Sequence, residues 1–269
     1  MEGKAVVVGQ RSIYCGHCAA ACPTGAIAVE PLAGGHPRLA AAEQPWLAPG
    51  EFDAALLERL MASRRSCRNY RERPVPREVL AELVQVGATA PSGTNSQRWT
   101  FTVLPDRRAV LALAEPIGEF FRRLNAAAAK PWLRNLLRLV GKPELARYHR
   151  EHQESVAEAL AEWEATGRER LFHGAPAAIL VGSLPGGSTP VEDALLAAGQ
   201  ILLAAHARGL GTCLVGYAVE VLSRRAELRR LAGLSAEERV HAVIAVGWPR
   251  ETYERPAGRL PVEPRWFPG

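Results

Sequence analysis

Apolar positions along this chain come in two rhythms, and their alternation predicts its elements. Between residues 52 and 62, Leu56, Leu57, Leu60 and Met61 fall on one helical face. Pro76 stands where a first helical turn tolerates proline, and Val79, Leu80, Leu83, Val84 and Val86 carry a second helix to about Ala88. Four compact β-branched and apolar runs read as strands, over 99–104, 178–181, 212–215 and 240–246. The stretch 191–208 is apolar almost all round and closes on Gly209, which predicts a buried central helix with a glycine C-cap. Residues 116–170 are charged, contain Trp132 and Trp163, and hold at least two helices and no strand; they read as an inserted lid or as scaffold. Helices interleaved with few strands point to an α+β layer structure.

Composition sets the scale. With 269 residues, 48% of them hydrophobic, the chain can bury one main core and carry a small appendage. A shift to Pro, Gly and Ala over 29–50 reads as a linker and places a domain boundary near residue 50, giving units of 1–50 and 51–269. No apolar run has the length of a membrane span, and Ala5–Val8 after the charged start is too short for a signal peptide, so a cytoplasmic protein without a membrane partner is expected. The net charge of +5 comes from arginines scattered among acidic and apolar residues, with no basic block. Small anions fit that distribution better than nucleic acid.

Three cysteines open the chemistry: Cys15, Cys18 and Cys22, the last followed by Pro23. Their spacing is similar to most of a bacterial ferredoxin cluster run, in which closely spaced thiolates hold an iron-sulfur cluster. Ser12 stands where the first cysteine belongs, and a hydroxyl is a poor substitute for thiolate. The stretch 3–9 resembles the hairpin between two such runs, yet no second run follows Cys22. A relic held by packing, a bound 4Fe-4S cluster, and zinc held by the three cysteines with His17 are the readings; the first is expected. Cys67 and Cys213 lie far along the chain in segments of their own. Clustered cysteines of this kind suit a reducing compartment better than a disulfide framework.

Two further segments carry polar chemistry. Arg64, Arg65, Ser66 and Arg68 follow the first helix, and guanidinium forks around a hydroxyl can cradle phosphate, although a charged helix end is commonly just solvated. The turn Pro91-Ser92-Gly93-Thr94-Asn95-Ser96-Gln97 leads into the first strand, and its amides and hydroxyls suit the polar edge of a planar ring.

Together these segments resemble the nitroreductase family of FMN-dependent oxidoreductases, which carries an Arg-Arg-Ser-x-Arg-x-aromatic run followed by an Ala-Pro-Ser-x-x-Asn-x-Gln-x-Trp run. The likeness reaches from about residue 60 to the end, through Gly209–Tyr217, Gly247-Trp248-Pro249 and Arg259-Leu260-Pro261. A subgroup of the family has a fused ferredoxin domain, which suits the cysteine run. The resemblance implies a three-layer sandwich, a mostly antiparallel sheet flanked by helices, behind a ferredoxin-like remnant.

By that resemblance Arg64, Ser66 and Arg68, within the run that includes Arg65, contact FMN phosphate, ribityl or the N1 side. Pro91, Ser92, Gly93, Asn95 and Gln97 shape the turn that bonds the ring edge or ribityl chain. Val215 and Gly216 pass backbone by flavin N5, and Arg259 completes the phosphate site. A cation near N1 is needed because reduction leaves negative charge there. Tyr217 borders the substrate pocket or serves as a core aromatic, Cys213 acts as a small buried hydrophobe, and Asp193 as a helix N-terminal charge. Arg98 departs from the family, replacing the proline of Gln-Pro-Trp.

The implied activity is electron transfer from NAD(P)H through flavin N5 to a small nitroaromatic or quinone acceptor, in a homodimer with the flavin at the subunit interface. The absence of a Gly-x-Gly-x-x-Gly fingerprint fits a nicotinamide that binds transiently against the flavin. The other reading is a flavin-binding electron-transfer or redox-sensing module without turnover, with the cysteine remnant facing a redox partner protein.

Overall fold

The structure is a computed structural model and describes residues 12–32, 39 and 47–268. The expected hairpin over 3–9 and much of the linker over 29–50 lie outside the described residues.

A short helix α1 (His17–Ala20) precedes the main body. The main body then runs α2 (Ala54–Ser63), α3 (Arg77–Gly87), β1 (Trp99–Leu104), α4 (Arg107–Ala128), α5 (Pro131–Leu139), α6 (Glu144–Glu151) and α7 (Gln153–Thr166). It continues through β2 (Ala177–Ser183), α8 (Pro190–Ala207), β3 (Gly211–Leu214), α9 (Gly216–Arg224), α10 (Ala226–Leu231) and β4 (Arg239–Gly247). The four strands pair antiparallel in the order β1-β2-β4-β3. All four lie where the apolar runs placed them, within a residue or two at each end.

Every residue of β2 is buried, because helices cover both faces of the sheet. Alternate residues divide between two cores. Ala178, Leu180, Val243 and Ala245 pack with Val110, Leu113, Ile117 and Phe121 of α4 and with Ala218, Val221 and Leu222 of α9. Ile179, Val181, Ala242, Ile244 and Val246 pack with Leu80 and Leu83 of α3 and Ala197, Ala198 and Ile201 of α8. The result is a helix-sheet-helix sandwich of the expected α+β class.

Two expectations need correction. The excursion does not begin at residue 116: α4 continues through Pro116, and the face carrying Ile117 and Phe121 is part of the core. The helices that stand off the sheet are α5, α6 and α7, with Trp163 of α7 seated against Gly118, where a β-carbon would come within 2.8 Å of its ring. The helix over 191–208 is not buried all round in one chain either. Its small residues Ala194, Ala197, Ala198 and Ala205 let it lie close on the sheet, while Val191, Leu195 and Leu196 remain exposed. Its end is as expected: Gly209 takes φ 75°, its N–H bonds to the His206 carbonyl, and the Leu210 N–H bonds to that of Ala205. The apolar stripe of α2 is likewise uncovered, with Leu56, Leu57 and Met61 exposed beside Phe52.

Candidate functional site

The arginine run is held in extended form against the open edge of β3. The Cys67 N–H donates to the Thr212 carbonyl at 2.8 Å, and the Arg71 N–H to that of Trp248 at 2.8 Å. Tyr70 is buried and donates its hydroxyl to the Cys67 carbonyl at 2.9 Å; burial pushes its pKa far up, so it remains a donor. Extended backbone sends alternate side chains to opposite sides. Cys67 therefore enters the core, closing on Gly211 where a β-carbon would lie 2.6 Å from its own. Ser66 and Arg68 face away from it, beside the Cys213 thiol, whose pKa burial raises.

At the far end of β3 the Val215 N–H still bonds to the Val243 carbonyl at 2.8 Å, and α9 starts one residue later. Gly216 and Tyr217 occupy the first turn, where backbone N–H groups have no intrahelical acceptor. A β-carbon on Gly216 would meet nothing within 4 Å, so the backbone lies open to the space beside it. That space is a cavity of about 820 Å³. Arg68, Val215, Gly216 and Tyr217 line one side; Phe120 and Phe121 of α4 and Tyr148 of α6 line another. A somewhat larger cavity of about 980 Å³ opens beside Arg73, Arg107, Arg108 and Arg250 at the start of α4, but Arg64, Ser66, Arg68, Val215 and Gly216 do not line it.

The loop over 168–174 closes the cavity and depends on a residue that sequence reasoning missed. The Glu169 carboxylate is fully buried. It accepts from Arg107 Nη1 at 2.7 Å and from the N–H groups of Phe172 and Gly174 at 2.6 and 3.0 Å. This clamp fixes His173 at φ 58° and sets His173 and Arg170 on the cavity wall. Burial lowers the pKa of His173, which favours the neutral imidazole. Glu169 stands between two arginines in sequence, as a solvated glutamate would, and no local signal marks it.

The Asn95 turn is well built but lies elsewhere. The Gly93 N–H and the Thr189 hydroxyl both donate to Asp193 Oδ1, at 2.9 and 2.8 Å, and the Ser96 hydroxyl to Oδ2 at 3.4 Å. Asp193 is therefore a buried anchor for the turn as well as a first-turn charge of α8. Thr94, Asn95 and Gln97 all take positive φ near 50°, and the Ser92 hydroxyl accepts from the Gln97 N–H at 3.0 Å. Gly93 is required by close approach, since a β-carbon there would come within 2.3 Å of both Thr189 and Ser188 oxygens. Pro91 and Gln97 are exposed on this turn, and Arg98 lies over Gly186 beside it. Asn95 Nδ2 donates to the carbonyls of Tyr14 and Ile13 at 2.8 and 3.2 Å, tying the cysteine segment to the turn.

One chain does not unite the two halves of the expected site. The turn enters β1, while the arginine run lies beyond β3 at the other edge of the sheet. Three strand spacings separate β1 from β3, about 14 Å. Along the strands, Trp99 is level with Ser183 and Arg239, whereas Leu214 is level with Ile244. Five residues add about 16 Å, for a separation of about 20 Å. Arg259 is also not brought in: it sits on an exposed tail, donating only to the Gly258 carbonyl. Arg64 and Arg65 are half-buried at the end of α2, next to the run.

The cysteines do not form a metal site among the described residues, where no group of three metal-ligating side chains converges. Cys18 lies on α1, Cys15 precedes it, and Cys22 turns to its own loop, accepting from the Ala26 N–H at 3.3 Å. Hydrogen bonding from Thr24 first, then Ala26, lowers the Cys22 pKa to about 7. Among the described residues no helix is long and apolar enough to cross a membrane.

Comparisons with known proteins agree with this architecture. A 5,6-dimethylbenzimidazole synthase of Rhodospirillum rubrum is 32% identical over 202 residues, covering 74% of this chain and 85% of that protein. An NADH dehydrogenase of Thermus thermophilus is 28% identical over 201 residues, covering 74% and 89%. The crystal structure of a nitroreductase with bound FMN from Bacteroides fragilis superposes with a TM-score of 0.53 at 21% identity, over 79% of this chain and all of that one. The Nitroreductase family model matches residues 61–248, which span the arginine run, the Asn95 turn, the four strands and the Gly216 helix start, and the chain belongs to the nitroreductase family.

Proposed function

We propose that this protein is an FMN-dependent oxidoreductase that carries electrons from NAD(P)H to a small electron-poor acceptor of nitroaromatic or quinone type. The observation that carries the reading is the bare Gly216 backbone at the start of α9, open to an 820 Å³ cavity with Arg68 on its wall. FMN fits what is there. A planar ring could approach Gly216 closely, two first-turn N–H groups and the positive end of α9 would be available to its polar edge, and Arg64, Arg65, Ser66 and Arg68 would supply donors for its phosphate. Bound there, FMN would supply hydride-transfer chemistry. The protein's part is to hold the ring, to set cationic and N–H donors where negative charge accumulates, and to exclude water with α5, α6 and the Glu169-clamped loop. The relative named an NADH dehydrogenase supports a nicotinamide donor.

The same reading takes the site to be shared by two copies. Pro91, Ser92, Gly93, Asn95 and Gln97 of a second copy would meet the arginine run of the first, which accounts for their separation within one chain. The uncovered apolar residues of α2 and α8 are the surface on which two copies would pack. Purified protein is expected to be yellow, to release FMN rather than FAD on denaturation, and to scatter light with the mass of two chains. Colourless protein that shows no FMN binding in titration refutes the assignment; a monomer that retains FMN refutes the shared site.

A second reading, a flavin module that exchanges electrons with a protein partner, is favoured by one contact: the cysteine segment is tied to Asn95. Flavin bleached by dithionite or a reduced ferredoxin but untouched by NADH and NADPH would select it.

A further inference from the structure

We propose that Tyr217 donates the proton that completes reduction of the acceptor, and that His152 resupplies Tyr217 from solvent. The inference rests on the oxidoreductase reading above.

Tyr217 follows Gly216 directly, so its side chain leaves the backbone at the point where that reading places the reacting ring. Its ring is fixed from two sides. The edge of Phe121 meets it at 5.4 Å and 84°, and that of His152 at 6.1 Å and 88°. The hydroxyl lies 3.4 Å from His152 Nδ1. His152 stands at the break between α6 and α7, held by its own N–H to the Tyr148 carbonyl at 2.9 Å and by the Val156 N–H to its carbonyl at 3.0 Å. Its imidazole is exposed. Imidazole and phenol are thus in contact at the exposed margin of the cavity.

The buried and half-buried proton-bearing groups on this wall are less suited. The Tyr148 hydroxyl donates to Asn125 Oδ1 at 2.6 Å, and burial pushes its pKa up to about 12. Cys213 is a buried thiol with a raised pKa, and burial lowers the pKa of the half-buried His173. Lys142 and Glu144 also line the cavity, from the α5–α6 connection and the start of α6, and Glu220 is paired with Arg224; Tyr217 is the proton donor that directly follows Gly216.

The chemistry requires such a donor. A quinone that takes a hydride from the reduced flavin of the reading above gains two electrons and one hydrogen on one oxygen, and its second oxygen becomes an anion. The Tyr217 O–H bond breaks, a new O–H bond forms on that oxygen, and hydroquinone results. The phenolate recovers its proton from the His152 imidazolium, which recovers its own from water. General acid assistance of this kind contributes on the order of 100-fold or more.

The test separates proton-coupled from proton-free reoxidation. Holoprotein reduced anaerobically with dithionite is mixed with benzoquinone in one series and with ferricyanide, which takes single electrons and no proton, in another. Tyr217→Phe is expected to slow the benzoquinone reaction about 100-fold and to leave the ferricyanide reaction unchanged. His152→Gln is expected to lose less, with added imidazole restoring part of the rate. In apoprotein, the nitrogen resonances of the His152 ring are expected to shift in Tyr217→Phe, which reports the contact without any turnover. A benzoquinone rate within threefold of native, equal losses with both acceptors, or an unmoved His152 signal overturns the inference while leaving the flavin reading intact. Protein that holds no flavin overturns both.

Discussion

Replacing Glu169 with alanine should cost more stability than any surface change, and should disturb the cavity at a distance. The native carboxylate is fully buried and satisfies three donors: Arg107 Nη1 at 2.7 Å and the N–H groups of Phe172 and Gly174. Truncation leaves two buried N–H groups without an acceptor, at about 1–3 kcal/mol each. Arg107 is 35% exposed and can rehydrate, so its lost partner adds little. The sum is about 2–6 kcal/mol, which spans the range for breaking a buried pair from one side. For a chain of this size about 1 kcal/mol moves the melting temperature by roughly 2–4 °C, so a fall of roughly 4–24 °C is expected by circular dichroism. His173 at φ 58° holds an uncommon conformation only while the clamp persists, so flavin affinity should fall as well. Glu169→Gln, which retains one acceptor oxygen, should lie between. A melting shift under about 2 °C for Glu169→Ala would mean that the loop is held by its apolar contacts and the clamp is incidental.

Gly216→Val should fold normally, because a β-carbon there meets no atom within 4 Å, but should fail to bind FMN in a fluorescence titration; native affinity would move the ring away from α9. Near pH 7, iodoacetamide should label Cys22 ahead of Cys15, Cys18 and the buried Cys67 and Cys213, as followed by peptide mass, because the lowered Cys22 pKa raises its thiolate fraction. Equal labelling of Cys15, Cys18 and Cys22 would show that the Thr24 and Ala26 bonds do not form. Burial lowers the folded-state pKa of His173, so the unfolded chain binds its proton first; the stability due to the neutral ring is complete above about pH 6.5 and is lost as pH falls below it. His173→Asn tolerates the positive φ and should flatten the change in urea midpoint between pH 7.5 and 5; an identical slope in the variant would exclude His173 as its source.

The sequence by itself determined the local units. Runs of β-branched and apolar residues are sufficient to place β1 to β4, because a strand buried on both faces admits little else, and Gly209 marks the end of α8 because a Schellman turn requires a left-handed residue. Motifs likewise marked the two segments of the proposed site, since Arg-rich phosphate cradles and amide-rich turns have distinctive composition over a few residues. Only the tertiary structure decided what those units meet. Strand order β1-β2-β4-β3 put the Asn95 turn and the Arg68 run at opposite edges of the sheet, a separation that no local pattern encodes because it depends on pairing between residues far apart in the chain. Pro116 looked like a boundary, yet α4 passes through it because Val110, Leu113, Ile117 and Phe121 bury one continuous face, and that packing outweighs one missing hydrogen bond. Glu169, the anchoring bonds of Asp193 and the Tyr217–His152 contact were invisible for the same reason. A carboxylate or a phenol acquires its role from donors, burial and neighbours that converge only in three dimensions, and its own short sequence surroundings carry no trace of them.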